Sequence, residues 1–180
     1  YGLISGFGTY GPLSHLPCMD IIAAARSGLV AQSGEAGSAP IKPGFSMCDT
    51  WAGLQLMRGL AMALLHKQKT GKGLRVDIAM LDCAFYMCES SVLEHSLTGK
   101  FTEKSGNHYV WYAPYGEFRA KDGNVVIAVK SEEEWGKLCH TLGLQEVGGD
   151  PRVANKGPGV QKPRCANRGA GKDNECYGTI

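Results

Sequence analysis

Two aspartates stand where a carboxylate could do covalent chemistry. Asp49 directly precedes a run in which Trp51, Leu54, Met57, Leu60, Ala61, Leu64 and Leu65 recur at helical spacing, so it takes the expected N-cap of a long helix. A carboxylate there faces unpaired backbone N–H groups and a partial positive charge, which keep it ionised. An ionised carboxylate can attack an activated carbonyl. Capping alone, worth about 1 kcal/mol, accounts for the same placement. Asp20 opens a shorter, alanine-rich segment and carries the same two readings.

The other reactive residue types point away from competing mechanisms. The five histidines form no H-E-x-x-H, no pair at i and i+4 and no zinc-type set with cysteine, so no metal is expected. His108 follows Gly106 and Asn107 in an aromatic loop, where it is either a ligand contact or a solvated side chain. No G-x-S-x-G is present, so a Ser-His-Asp triad cannot be inferred. Gly6 to Gly11 matches G-x-G-x-x-G, but Pro12 and the loop behind it offer no helix to receive a pyrophosphate. It reads as a glycine loop after a strand. Thr70-Gly71-Lys72-Gly73 lacks the spacing of a phosphate loop and reads as a helix stop.

These residues need elements to hold them, and the pattern supplies an alternation of strand and helix. Residues 1–5 read as the end of a buried strand, 20–27 as a helix closed by Gly28, and 50–69 as the strongest helix of the chain. Residues 74–80 alternate as a strand does, and a further helix is expected over 81–97. This is the α/β rhythm. After Gly99 the character changes: 115–120 and 124–130 read as strands joined through Lys121-Asp122-Gly123. Ser131 and Glu134 then form a capping box for a helix carrying Trp135, Leu138, Cys139 and Leu142. The expected organisation is residues 1–99 as the C-terminal part of a Rossmann-like large domain, 100–147 as the start of a small α+β domain, and 148–180 as a tail with little fixed structure.

Composition narrows the partners. Of 180 residues 43% are hydrophobic, enough for a sizeable core, yet no run approaches the length of a bilayer span. A net charge of +2 gives no electrostatic case for nucleic acid or a membrane surface. The seven cysteines are odd in number, include no C-x-x-C and sit mostly within apolar patterns, which suits a reducing interior. A cytoplasmic home is expected; because the first residue is Tyr1, a targeting segment before it is left open and so is a mitochondrial location.

Taken together, the segments resemble the class III CoA-transferases, the formyl-CoA transferase and CaiB/BaiF family, over roughly residues 3–155. The resemblance is carried by Ile4-Ser5-Gly6-Phe7-Gly8 with Gly11-Pro12, by Asp20-Ile21-Ile22-Ala23 with Ser27-Gly28-Leu29, and by Lys42-Pro43-Gly44. It continues through Asp49 with Gly53, Ala63-Leu64-Leu65 with Lys69-Thr70-Gly71-Lys72-Gly73, and Val76-Asp77 with Leu81-Asp82. Gly106-Asn107, Ala113-Pro114-Tyr115 and Asp122-Gly123 complete it. So many segments in one order are more specific than any one of them.

The resemblance implies that Asp49 is the catalytic nucleophile. It would attack an acyl-CoA thioester to give a mixed anhydride, become an aspartyl-CoA thioester and pass coenzyme A to a second carboxylic acid. By the same resemblance Asp20 has a supporting or positioning role in catalysis, Met80 matches a methionine that touches bound CoA although a core residue of a strand is an equal reading, and Gly106, Asn107 and His108 lie in a loop over the active site. Coenzyme A is then a co-substrate, no prosthetic group is expected, and the full-length protein is an interlocked homodimer. The run of glycines typical of formyl-CoA transferases is missing around Gly106, which puts formate and oxalate specificity in doubt. Relatives of this fold that racemise 2-methylacyl-CoA place a histidine directly before the acidic position matched by Asp20. Met19 stands there and cannot carry a proton, so transfer is favoured over racemisation. An inactive remnant that keeps a CoA pocket is the alternative from another class. The N-terminal strands and helices that supply much of the family's nucleotide pocket are absent from this chain, so the piece alone is expected to bind CoA poorly and to be inactive.

Overall fold

The computed structural model describes residues 1–145, so the expectation for 148–180 lies outside the described residues. They fall into two units, Tyr1–Lys104 and a second that begins at Ser105.

In the first unit, strand β1 (Gly2–Ser5) pairs in parallel with β2 (Val76–Ala79), Gly2 opposite Val76 and Ser5 opposite Ala79. Parallel neighbours need a crossover, and helices α1 (Asp20–Arg26) and α2 (Met47–Thr70) make it. Helices α3 (Met80–Tyr86) and α4 (Glu89–Thr98) follow β2. The order of elements is the expected α/β alternation.

Small residues set how closely the layers approach. Ala23 and Ala24 of α1, Cys48 and Ala52 of α2, and Met80, Cys83 and Ala84 of α3 form the core, with Trp51, Ile78 and Met87 packed on it. Gly59 lies against Val76, where an added Cβ would come within 2.6 Å of Cγ1, so α2 sits directly on β2. At Gly6 there is no room for a Cβ beside that of Cys18, which explains the first glycine of the loop by packing rather than by phosphate binding. No helix opens on that loop until Asp20, in keeping with the structural reading of the glycine motif.

Two expectations are corrected. Helix α2 starts at Met47, with Ser46 as N-cap, so Asp49 is its third residue and not its cap. The expected helix over 81–97 is two helices: Cys88 donates its N–H to Phe85 in a tight turn, while its thiol points to the Ser27 and Ala84 carbonyls. Burying Cys88 at that point redirects the chain, which apolar periodicity alone does not reveal. The stop of α2 is as expected, with Gly71 left-handed at φ 72° and its N–H bonded to the Lys67 carbonyl.

In the second unit, β3 (Tyr115–Arg119) and β4 (Asn124–Ala128) form an antiparallel hairpin closed by Ala120 N–H to the Gly123 carbonyl. Helix α5 (Glu132–Thr141) begins with the expected capping box: Ser131 accepts from Glu134 N–H, and the Glu134 carboxylate accepts from Ser131 and Lys130 N–H. Those backbone donors hold the Glu134 carboxyl below its ordinary range.

Candidate active site

Asp49 projects from the first turn of α2 and is exposed, so its carboxylate is open to attack a carbonyl from outside. The N–H groups of that turn have no partner within the helix. Asp20 provides one from elsewhere: its Oδ1 accepts from Cys48 N–H at 2.7 Å and from Asp49 N–H at 3.2 Å. Asp20 is itself only 8% exposed, being the first residue of α1 with its side chain turned onto α2. One carboxylate thus faces two helix N-termini, where negative charge is favoured. Ser46, the N-cap residue, makes no side-chain bond to the turn, and the capping bonds that the sequence suggests for Asp49 come from Asp20, 28 residues away from the first amide it holds.

Lys42 completes the group. Its ammonium lies 3.9 Å from Asp20 Oδ2 and donates to the carbonyls of Pro43 at 2.8 Å and Phe45 at 3.1 Å. Sequence reading found Lys42 only as part of a matching segment, and no local signal announces its pairing.

Between the two aspartates Cys48 is fully buried. Burial first, then the charges of Asp20 and Asp49, pushes its thiol up to about 11. The folded state therefore holds this proton more tightly than the unfolded chain, whose thiols ionise near 9. The resulting stabilisation is complete below pH 9 and is lost as pH rises through about 11, on the order of 2 kcal/mol. Urea unfolding of wild type against Cys48→Ala between pH 8 and 11 is expected to show a steeper loss in the wild type. Equal slopes would exclude the Cys48 thiol as the source.

Met80 opens α3 and is 6% exposed within the core cluster that also holds Cys48. Gly106, Asn107 and His108 belong to the second unit, where residues 107–109 run beside β3. His108 bridges to Gly116, Glu117 N–H bonds the Asn107 carbonyl and Tyr109 N–H bonds the Tyr115 carbonyl. Glu117, not singled out from the sequence, accepts from the amides of both Asn107 and Asn124 and so ties this loop to the hairpin. His108 Nδ1 fills the space left by the absent side chain of Gly116 and has no hydrogen-bond partner among the described residues. The structure thus brings Asp20, Asp49 and Lys42 together, sets Met80 in the core cluster with Cys48, and braces the Gly106–His108 stretch within the second unit. Among the described residues no cluster of three metal-ligating side chains occurs, and no helix is long and apolar enough to cross a membrane.

Fold and site define an α/β domain that presents one exposed carboxylate at a helix mouth, backed by a buried, cation-paired second carboxylate. The model of CoA-transferase family III matches residues 1–167, and the chain belongs to that family. It is 34% identical over 153 residues to an acetyl-CoA:oxalate CoA-transferase of Acetobacter aceti, covering 84% of this chain and 39% of that protein. It is also 34% identical over 148 residues to a succinyl-CoA:glutarate CoA-transferase of Mus musculus, covering 82% of this chain and 34% of the relative. A CaiB/BaiF family protein from Brucella suis superposes with a TM-score of 0.73 at 30% identity, over 86% of this chain and 41% of that one. The chain therefore spans roughly two-fifths or less of the length of these relatives.

Proposed function

We propose that the protein containing this chain moves coenzyme A from an acyl-CoA thioester to a free carboxylic acid, with Asp49 as the nucleophile. The observation that carries this is the exposed Asp49 carboxylate on the first turn of α2, in a chain whose relatives are named as CoA-transferases. Attack of Asp49 Oδ on the thioester carbonyl forms an acyl-aspartyl anhydride and expels the CoA thiolate. The thiolate then attacks the aspartyl carbonyl, releasing the donor acid and leaving an aspartyl-CoA thioester. The acceptor carboxylate attacks that thioester, which gives a second anhydride and again frees the thiolate. Attack of the thiolate on the acceptor's acyl carbonyl yields the new acyl-CoA and restores Asp49. No proton or electron is gained or lost over the cycle, so coenzyme A as co-substrate suffices without a prosthetic group.

Asp20 supports this chemistry by fixing the turn that carries Asp49. Gly106, Asn107 and His108 are proposed as the loop over bound CoA. Met80, buried at 6% exposure, is proposed to touch bound CoA. In this reading residues 1–99 close a Rossmann-like large domain, residues 100–147 begin a small α+β domain, and the whole protein is an interlocked cytoplasmic homodimer. Met19, 69% exposed and directly before Asp20, offers no proton carrier, which favours transfer over racemisation.

The test is trapping. Whole protein incubated with acyl-CoA and then hydroxylamine is expected to carry a hydroxamate on Asp49, read by peptide mass spectrometry. α-Proton exchange in deuterated water without an acceptor acid, and no adduct at Asp49, would replace this reading with racemisation; neither signal would leave an inactive remnant.

A further inference from the structure

The arrangement around Asp20 contains a third member that the transfer chemistry does not itself require. Lys42 sits in the loop that leads into α2, and its ammonium has three acceptors around it: two carbonyls of its own loop, at 2.8 and 3.1 Å, and Asp20 Oδ2 at 3.9 Å. The same carboxylate uses its other oxygen to hold the amides of Cys48 and Asp49. Lys42 thus ties the approach to α2 to the group that caps it. Among the described residues Lys42 is the cation in salt-bridge range of Asp20.

We propose that Lys42 is a positioning residue for the reaction, acting through Asp20 to hold the first turn of α2 in the geometry that presents Asp49. The inference rests on the transferase reading for its kinetic consequence and on the structure alone for its mechanical one. Lys42 is exposed along part of its length, so replacing it need not open the core. The stem of Lys42→Met preserves most of the apolar contact while the charge and the donors go. Lys42→Arg restores both, though with a planar head group.

Two measurements on the whole protein separate the parts. Amide hydrogen exchange without substrate reads the cap directly: in Lys42→Met the Cys48 and Asp49 amides are expected to exchange about tenfold faster, while amides in the middle of α2 keep the wild-type rate. Single-turnover acylation of Asp49 is expected to slow about tenfold in the same variant, because a small loss of alignment costs rate. The acyl-CoA concentration for half-saturation should stay within about threefold of wild type, as a positioning residue predicts. Lys42→Arg should recover most of both effects. Unchanged exchange at Cys48 and Asp49 in Lys42→Met overturns the proposal. So does a defect confined to half-saturation, which would make Lys42 a ligand-binding residue, or a full defect that Lys42→Arg does not relieve. A wild-type protein that forms no adduct overturns the transferase reading, and the exchange comparison then still decides whether Lys42 holds the cap.

Discussion

Asp49→Asn in the whole protein is expected to abolish CoA exchange, lowering kcat by about a thousandfold or more, since the proposed covalent route runs through this one carboxylate. Asparagine has nearly the same shape and keeps the backbone N–H that bonds to Asp20. What changes is the nucleophile: a neutral amide oxygen attacks a thioester far more slowly than a carboxylate, and an amide cannot cycle through an anhydride. The side chain is exposed, so no buried contact is lost. The remaining structural cost is the favourable interaction of an acidic group with the helix N-terminus, about 0.3–1 kcal/mol. A wild-type-like unfolding midpoint with acyl-CoA binding intact and exchange absent is therefore the expected pattern. Measuring exchange of labelled acid into acyl-CoA decides it: a variant retaining a tenth of the wild-type rate would remove Asp49 from the mechanism.

How much of this was legible depends on the range of each interaction. Helix α1, the stop of α2 at Gly71, the β3–β4 hairpin and the Ser131–Glu134 capping box are written in residues a few positions apart, and each appears where the pattern puts it. The identity of the group capping α2 is not local. A side chain 28 positions upstream reaches Cys48, and a sequence window around Asp49 shows only a carboxylate near a helix start. The packed face of α2 is not legible for a related reason. Leu54, Met57, Leu64 and Leu65 recur at helical spacing yet are exposed, while Leu56, Gly59 and Leu60 meet β1 and β2. Helix α2 is apolar on more than one side, so periodicity established a helix without choosing its packed face. The contact of Glu117 with Asn107 shows the same limit, because it joins residues ten positions apart that no local pattern pairs.

Asp20 provides the second large effect, and two substitutions resolve what it contributes. Asp20→Ala removes the acceptor for the Cys48 and Asp49 amides, of which the first is buried with its residue. Leaving such donors unsatisfied and losing charge-assisted bonds is expected to cost about 2–4 kcal/mol of stability. The freed turn also lets Asp49 wander, and a loss of about a hundredfold in kcat is expected from misalignment of the proposed nucleophile. Asp20→Asn separates hydrogen bonding from charge. Its amide oxygen can still accept both N–H groups, so stability should fall by only about 1 kcal/mol. Its NH₂ group, however, replaces the oxygen that faces Lys42, setting a donor against an ammonium. If the cap alone matters, the asparagine variant keeps most of its activity. If the Lys42–Asp20 pair positions Asp49, it loses activity about as far as Lys42→Met does, and combining the two substitutions adds little further. Denaturant unfolding and single-turnover acylation of the two Asp20 variants and of the double variant measure this coupling. Full additivity would show that Asp20 and Lys42 act on Asp49 separately, each through its own contacts.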